Sequence, residues 1–288
     1  MTLTDFNKQS EAAARAALAT CCGSSQWADE VMKGFPFSTE AALVERVTTA
    51  WYDACTASDW LEAFTHHPKI GDLDSLRKKF AATSHLAGSE QAAVAEADSP
   101  TLEALALGNA AYVQHFGFIF IVCATGKPAG EMLRLLQDRL ENEPEEELLV
   151  AMGEQHKITM LRLKKLLPQA DWSLLRNSHI TTHVLDTSIG KPGSGLTIRL
   201  QQALGKRWRT IAQGITNHDG RIPDLLPPNR FLNPAAYRMV FGTAAYFAAR
   251  QVTGFYPTVE ITFTTFDHTH YHVPLLINPF GYSTYRGS

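Results

Sequence analysis

The chain has 288 residues, more than one hydrophobic core usually serves, so two domains are expected. Hydrophobic residues make up 45% and charged residues 19%, the formal net charge is -3 and the sequence pI is near 6.4, so there is no basic footprint for nucleic acid. The longest apolar stretch, Phe116 to Ala124, is far too short to span a bilayer, which excludes a membrane role for it. The opening residues, Met1 to Phe6, lack a cationic region followed by an apolar one, so no signal peptide is expected. The closing Tyr285-Arg286-Gly287-Ser288 is not a Ser-Lys-Leu address, and a cytoplasmic location is expected, with the peroxisome as the alternative. Four cysteines, Cys21, Cys22, Cys55 and Cys123, are too few for a disulfide framework and read as free thiols of a reducing compartment.

From Glu11 to about Leu167 the pattern is helical, with apolar residues recurring at three- and four-residue steps. Ser38 or Thr39 suits the N-cap of a helix running toward Cys55, and Ser58 suits the N-cap of the next. Ser99 before Pro100 reads as another N-cap with proline at the first helical position. Leu148, Leu149, Met152, Ile158, Leu161 and Leu166 predict one long amphipathic helix over 145–167, with Pro144 near its start and Pro168 beyond its end. After Pro168 the pattern changes to short β-branched and aromatic segments separated by Gly, Pro, Asn and Asp. Strands are predicted at Thr181 to Leu185, Leu196 to Leu200, Trp208 to Ile215, Tyr237 to Phe241, Val259 to Phe263 and Tyr271 to Ile277, in an antiparallel sandwich. Turns are predicted at Gly193 and Gly195 and at Asn217 to Gly220, and one helix at Thr243 to Gln251. Helices followed by strands, without alternation, argue for separate α and β domains. The join is expected at 169–178, short and not Gly/Ser-rich, between domains at 1–168 and 179–288.

In the first half, Leu61-Glu62-Ala63-Phe64-Thr65-His66-His67-Pro68-Lys69-Ile70-Gly71-Asp72 ends a helix and enters a loop. Pro68 stops the helix, so His67 is expected to project from its end. Ser89-Glu90-Gln91, Asn109-Ala110-Ala111-Tyr112, Phe116-Gly117-Phe118-Ile119-Phe120-Ile121 and Lys157-Ile158-Thr159-Met160-Leu161-Arg162-Leu163 follow in order. This set resembles the 2-oxo-4-hydroxy-4-carboxy-5-ureidoimidazoline (OHCU) decarboxylases, an all-helical family. The resemblance implies His67 as the proton-transfer residue, Glu90 and Arg162 as its catalytic companions, and Pro68 and Gln91 against the substrate. It also implies that the backbone of Phe118, Ile119, Phe120 and Ile121 binds the ring's polar atoms. Ala87 stands where the family often has serine, and Ser84 or Ser89 is the candidate replacement. Read without the resemblance, Arg162 is equally well a surface arginine paired along its helix with Glu154 or Gln155. His66 is expected to be solvated and without a role.

In the second half, Thr182-His183-Val184-Leu185-Asp186 is followed by Gly190-Lys191-Pro192, then by Asn217-His218-Asp219-Gly220-Arg221. His270-Tyr271-His272-Val273-Pro274-Leu275-Leu276 leads to Gly281-Tyr282-Ser283-Thr284-Tyr285-Arg286-Gly287-Ser288. These segments resemble 5-hydroxyisourate hydrolase, the enzyme branch of the transthyretin-like family. The resemblance implies a site built from His183, Arg221, His272 and Ser288, with Tyr285 beside it, lining a channel of a tetramer. Asn233-Pro234-Ala235-Ala236-Tyr237 replaces a glycine-containing family segment without touching these residues. The chemistry suits the residue types: an imidazole takes a proton from water, either His272 or His183, and a guanidinium holds the ring's oxygens. His268, His270 and His272 alternate, and on one strand they would share a face, which invites a zinc reading. His268 and His270 are read instead as exposed polar residues near a strand start.

The fold class expected is therefore multidomain α and β, an all-α helical bundle followed by an all-β transthyretin-like sandwich. The resemblances imply a bifunctional enzyme of urate breakdown that makes (S)-allantoin from 5-hydroxyisourate through OHCU. They imply no cofactor and no metal, small-molecule substrates, and a homo-oligomer: a tetramer through the second domain, with a dimer through the first as a further expectation. The alternative is a transthyretin-like ligand-binding or scaffold protein without catalysis.

Overall fold

The computed structural model describes residues 1–67, 99–173, 175 and 178–287. Pro68, Ser84, Ala87, Ser89, Glu90, Gln91 and Ser288, each assigned a place above, lie outside the described residues. The chain divides into two compact units, Met1–Trp172 and Ser173–Ser288.

The first unit is helical. It opens with α1 (Leu3–Asn7), α2 (Glu11–Cys22), α3 (Ser25–Met32) and α4 (Glu40–Thr49). Each starts on a hydroxyl: Thr2, Ser10, Ser24 and Thr39 accept from the backbone N–H three residues on, satisfying a donor the helix itself cannot. Thr39, not Ser38, is thus the cap. Helix α4 runs on as a π-helical turn, Ala50–Ala54, that swings the Trp51 indole inward to donate to the Met152 carbonyl at 3.0 Å. Helix α5 (Ala57–Thr65) has Thr56 at its N-cap, two residues before the expected Ser58. The Asp59 carboxylate takes the Thr56 N–H at 2.7 Å and the Thr56 hydroxyl at 2.8 Å, and Ser58 only shares a hydrogen bond with that hydroxyl. Helices α6 (Ser99–Phe116), α7 (Ala129–Leu140) and α8 (Pro144–Leu166) complete the unit.

Helix α8 has the predicted extent, with proline in its first turn, but most of the apolar residues that predicted it do not form its buried face. Residues 150–157 are all buried, whereas Leu148, Leu149, Ile158, Leu161 and Leu166 are only half-buried. The helix runs through the middle of its unit, so its polar side chains Glu154, Gln155 and Lys157 lie inside, where each must find a partner. A second buried polar group ties α6, α7 and α8 together. Arg139, Glu147 and Tyr112 are 1%, 0% and 0% exposed. The Arg139 guanidinium donates to Glu147 through Nε at 2.8 Å, and through Nη2 as well. Tyr112 hydroxyl also donates to Glu147, and Asn142 donates to its other oxygen at 2.7 Å. Burial opposes the charge on Arg139, yet Glu147 outweighs it and holds the guanidinium above its ordinary pKa.

The second unit is a sandwich. One sheet orders β5 (Arg207–Ile215), β4 (Thr197–Leu204), β6 (Ala236–Phe241) and β7 (Val259–Thr264), all antiparallel. Its inward residues alternate as a two-residue period requires: Ile198 and Leu200 on β4 pair with Phe241 and Met239 on β6, all fully buried. Helix α9 (Thr243–Ala248) follows β6, shorter than predicted. The facing sheet orders β10 (Gly281–Thr284), β9 (Leu275–Asn278), β2 (Val184–Asp186) and β3 (Lys191–Pro192), and β1 (Ile180–Thr181) pairs with β8 (Tyr271–His272). Two expected strands are therefore each split, one at His183 and one at Pro274. The pairings β1–β8 and β2–β9 are parallel, which departs from the antiparallel expectation. The chain returns to these strands only after crossing the whole opposite sheet, a long connection of the kind parallel strands need. Among the described residues, no helix is long and apolar enough to cross a membrane.

Replacing Glu147 by alanine leaves Arg139 buried without its carboxylate. The expected cost is about 3–5 kcal/mol. It is read as a lower denaturation midpoint of the helical signal in far-ultraviolet circular dichroism; an unchanged midpoint would deny the ion pair its structural role.

Candidate active sites

In the first unit the residues of interest gather where α2 ends. The last carbonyls of a helix have no intrahelical donor, and those of Cys21 and Cys22 are supplied from α8. Arg162 Nη1 donates to the Cys21 carbonyl at 3.2 Å and Gln155 Nε2 to the Cys22 carbonyl at 3.4 Å. Gln155, Thr159 and Arg162 follow one another at steps of four and three, so they share a helix face. Gln155 Nε2 also lies 3.3 Å from the Thr159 hydroxyl. Gln155 Oε1 then meets His67 Nε2 at 2.6 Å. Because the Gln155 amide nitrogen faces Cys22 and Thr159, its oxygen faces His67 and accepts, so His67 carries hydrogen on Nε2.

His67 follows the end of α5, as its Pro68 neighbour led us to expect, and its N–H donates to the Phe64 carbonyl at 3.2 Å. His66 is exposed. The structure thus brings His67 and Arg162 to one corner, linked through Gln155 and the α2 carbonyls. The surface alternative for Arg162 fails: Glu154 is occupied by the Cys123 N–H at 2.7 Å and by Lys157, and Arg162 is half-buried. Gln155 was missed in the sequence, although its spacing from Arg162 is a legible signal. The thiols of this corner are not nucleophiles. Burial pushes Cys21 up to about 11 and Cys22 up to about 12.

The segment Phe118 to Ile121 is fixed from behind. Arg139 Nη1 donates to the Ile121 carbonyl at 2.8 Å and the guanidinium stacks 4.7 Å from the Phe120 ring centroid. That hydrogen bond takes one of the carbonyl's two acceptor sites. Among the described residues, no hydrogen bond engages the backbone of Phe118, Ile119 or Phe120.

In the second unit, His183 lies between β1 and β2 and bridges Arg221 across the backbone. The Asn217 carboxamide oxygen accepts the N–H groups of Asp219 and Arg221, each at 3.0 Å, and this closes the turn that aims Arg221. Gly220, at φ +70°, is required there: a Cβ would collide with the Val184 carbonyl. Arg221 Nη2 is 3.0 Å from His183 Nδ1. A guanidinium only donates, so Nδ1 accepts, and a neutral His183 carries its hydrogen on Nε2. His272, on β8, meets the Thr181 hydroxyl through Nδ1 at 2.9 Å, and Thr181 also meets His270 Nε2 at 2.8 Å. The Asp219 backbone also hydrogen-bonds the His183 ring and the Thr181 backbone the His272 ring, each favouring the protonated imidazole. Burial first, and then the Arg221 charge, pull both imidazoles below their ordinary pKa.

The terminal segment folds over His272. Gly287 bridges it, donating to its carbonyl at 2.9 Å, and Arg286 lies 5.4 Å from the Tyr271 ring centroid. A Cβ on Gly287 would collide with His272 Cδ2. Tyr285 is 59% exposed. The three alternating histidines do not share a strand face, because β8 begins only at Tyr271. His268 stands against the rings of His179 and Phe231, at 6.2 and 5.7 Å. Among the described residues, no three His, Cys, Asp or Glu side chains form a metal-ligand group.

A family model described as OHCU decarboxylase matches residues 7–164, and one described as the HIUase/Transthyretin family matches residues 180–287. The chain is 34% identical over 319 residues to the uric acid degradation bifunctional protein TTL of Arabidopsis thaliana, covering 93% of this chain and 96% of that one. The chain belongs to both families, fused in one polypeptide. The hydrolase-family unit is also 44% identical over 115 residues to 5-hydroxyisourate hydrolase of Mus musculus, covering 39% of this chain and 97% of that one. A solved structure described as (S)-allantoin synthase is 25% identical and covers 100% of both chains, with a TM-score of 0.47. Helical decarboxylase-family unit and transthyretin-like sandwich thus follow in the order the sequence led us to expect.

Two outcomes follow from the hydrolase-family unit. Gly287→Ala displaces the His272 imidazole and is expected to reduce hydrolysis at least about tenfold while circular dichroism stays unchanged, since the loss is one of position. Removing the Arg221 charge by Arg221→Gln is expected to raise the titration midpoints of His183 and His272 toward the ordinary value of about 6.5, because a cation disfavours the charged imidazole. Ring-proton nuclear magnetic resonance across pH reads this shift, and midpoints that move down or stay fixed contradict it.

Proposed function

We propose that the second unit hydrolyses 5-hydroxyisourate to OHCU and that the first decarboxylates OHCU to (S)-allantoin. The observation that carries the hydrolase half is the donation of Arg221 to His183 Nδ1. It leaves His183 with an Nε2–H to offer and so makes it a donor to substrate oxygen, not a base. His272 is then the base. Water adds to the activated amide carbonyl as His272 Nε2 takes its proton. The ring C–N bond breaks, and the same Nε2 returns the proton to the leaving nitrogen. Arg221 holds the ring's oxygens with the donors its bond to His183 leaves over. Ser288 orients the substrate, and Tyr285 borders it.

In the decarboxylase half, the C–C bond to the carboxylate breaks, carbon dioxide leaves, and the electron pair delocalises into the substrate's own carbonyl and imine system. Arg162 binds the carboxylate or the ureido group with the guanidinium nitrogens not spent on Cys21. His67 moves the proton, held by Gln155 and, in this reading, by Glu90. Pro68, Gln91 and the backbone of Phe118 to Ile121 bind the ring. Protonation inside a chiral pocket gives one enantiomer. No metal enters either step, and both run on a substrate already primed to react.

Fusion keeps the two activities at equal stoichiometry and raises the local concentration of an unstable intermediate. We read residues 169–178 as the connector, with the domains at 1–168 and 179–288. The assembly we propose is a homotetramer through the sandwich, with pairing through the helical unit as a second interface, in the cytoplasm or the peroxisome. The retained imidazole–guanidinium set and the family matches of both units support an enzyme over a carrier, which would require none of these residues.

Freshly made 5-hydroxyisourate, followed by absorbance and circular dichroism together, tests both halves. His67→Ala is expected to abolish enantioselective allantoin formation while hydroxyisourate is still consumed. Arg221→Ala is expected to slow that consumption by about a hundredfold or more. Both steps proceeding normally in both variants would refute the assignments.

A further inference from the structure

A neutral imidazole has its hydrogen on one nitrogen only, so a histidine base must be held in the correct tautomer. For His272 to act through Nε2, its hydrogen must sit on Nδ1, and something must accept that hydrogen. The side chain in place is the Thr181 hydroxyl, 2.9 Å from Nδ1, beside the backbone of the same residue, which also hydrogen-bonds the ring. The parallel register that pairs Thr181 with His272 puts it there. A hydroxyl has a single hydrogen. If Thr181 accepts from His272, it must hand its own hydrogen elsewhere, and His270 Nε2 lies 2.8 Å away to take it. The His270 and His272 rings lie nearly parallel, 18° apart, with centroids at 6.3 Å and the hydroxyl bonded to both.

The chain could run in the opposite sense, from His270 through Thr181 to His272 Nδ1. That would put a hydrogen on His272 Nε2. The surroundings oppose it. Arg221 is a cation that acts on both His183 and His272, and His183, fixed by Arg221, offers a further N–H. A third N–H among these donors is disfavoured, whereas a lone pair is attracted. His270 is exposed, so its other nitrogen is open to water, and nothing on that side forbids its Nε2 from accepting.

We propose that Thr181 and His270 are positioning residues that hold His272 in the Nδ1–H tautomer, leaving Nε2 as the base. The proposal rests on the reading of His272 as the base of the hydrolase. The hydrogen bonds run from His272 Nδ1–H to Thr181 Oγ1, and from Thr181 Oγ1–H to His270 Nε2. When Nε2 takes the proton from water, Thr181 continues to accept from the imidazolium, so no rearrangement is needed in the step. The role resembles that of a third member behind a nucleophile and its base, with a hydroxyl and an imidazole in place of a carboxylate.

The test uses the full chain labelled with nitrogen-15 in histidine, near neutral pH, with the resonances of His272 identified by their loss in His272→Gln. The wild-type ring is expected in the Nδ1–H form. Thr181→Val and His270→Leu are expected to move it toward the Nε2–H form. Both should lower kcat by at least about tenfold with KM little changed, as loss of correct protonation requires. Thr181→Ser, which keeps the hydroxyl, should restore what Thr181→Val removes. An Nε2–H ring in the wild type, or the same tautomer in wild type and both variants, overturns the proposal. Loss of rate in the variants without a tautomer change overturns it too. His272→Gln separates this from the underlying reading: if hydrolysis continues at the wild-type rate, His272 is not the base and the functional assignment fails first.

Discussion

The hydrolase-family site depends on one directional fact: a guanidinium has hydrogens to give and no lone pair to receive. Arg221 donates to His183 Nδ1 at 3.0 Å, and this divides two chemically identical side chains into different roles. His183 Nδ1 is thereby fixed as an acceptor, whereas His272 Nδ1 meets the Thr181 hydroxyl. The same cation, behind the larger effect of burial, holds both rings below their ordinary pKa. The backbone enforces the arrangement from two sides. Gly220 lets the Arg221 turn press against Val184, and Gly287 lets the terminal segment lie on the His272 ring. Side-chain freedom is thus reduced before any substrate arrives, which lowers the entropy cost of orienting one.

The decarboxylase-family unit solves a related problem with different material. There the anchor is the end of a helix. The free carbonyls of Cys21 and Cys22 carry the negative end of the α2 dipole, and they attract the Arg162 guanidinium and the Gln155 amide. Gln155 in turn presents its oxygen to His67. Behind this corner, the buried Arg139–Glu147–Tyr112 group holds Ile121 and Phe120 in place. Polar groups inside a helical unit are costly unless paired, and here the pairs orient the Phe120–Ile121 segment, Arg162 and His67.

Much of this was legible in the sequence, and what was not has identifiable causes. Thr39 and Pro144 announced their helices because caps and prolines act locally. Ser58 misled because Asp59 bonds to Thr56 instead, and either hydroxyl suited the pattern. The burial of α8 was misread: a central helix that carries Glu154, Gln155 and Lys157 inward has the same letters as a surface helix. The alternation on β4 and β6 was plain, since a two-residue period marks a face. The parallel pairing of β1 with β8 was not, because partners some ninety residues apart leave no local mark. Thr181 was therefore overlooked, although it is bonded to two histidines. His183, Arg221 and His272 were reached through family resemblance, while the hydrogen-bond directions emerged only from the contacts of Arg221 with His183 and of Thr181 with His272.

The parallel register of β1 with β8 and of β2 with β9 also bears on how the sandwich is made. His183 and His272 stand on segments that join only after the entire opposite sheet has been threaded between them. Such distant pairings pay their loop entropy before any contact rewards it, so they close late. The antiparallel strands from β4 to β7 can pair among themselves first. During refolding, sheet spectra would then recover ahead of catalysis, and the return of turnover would mark the late pairing of β1 with β8 and of β2 with β9.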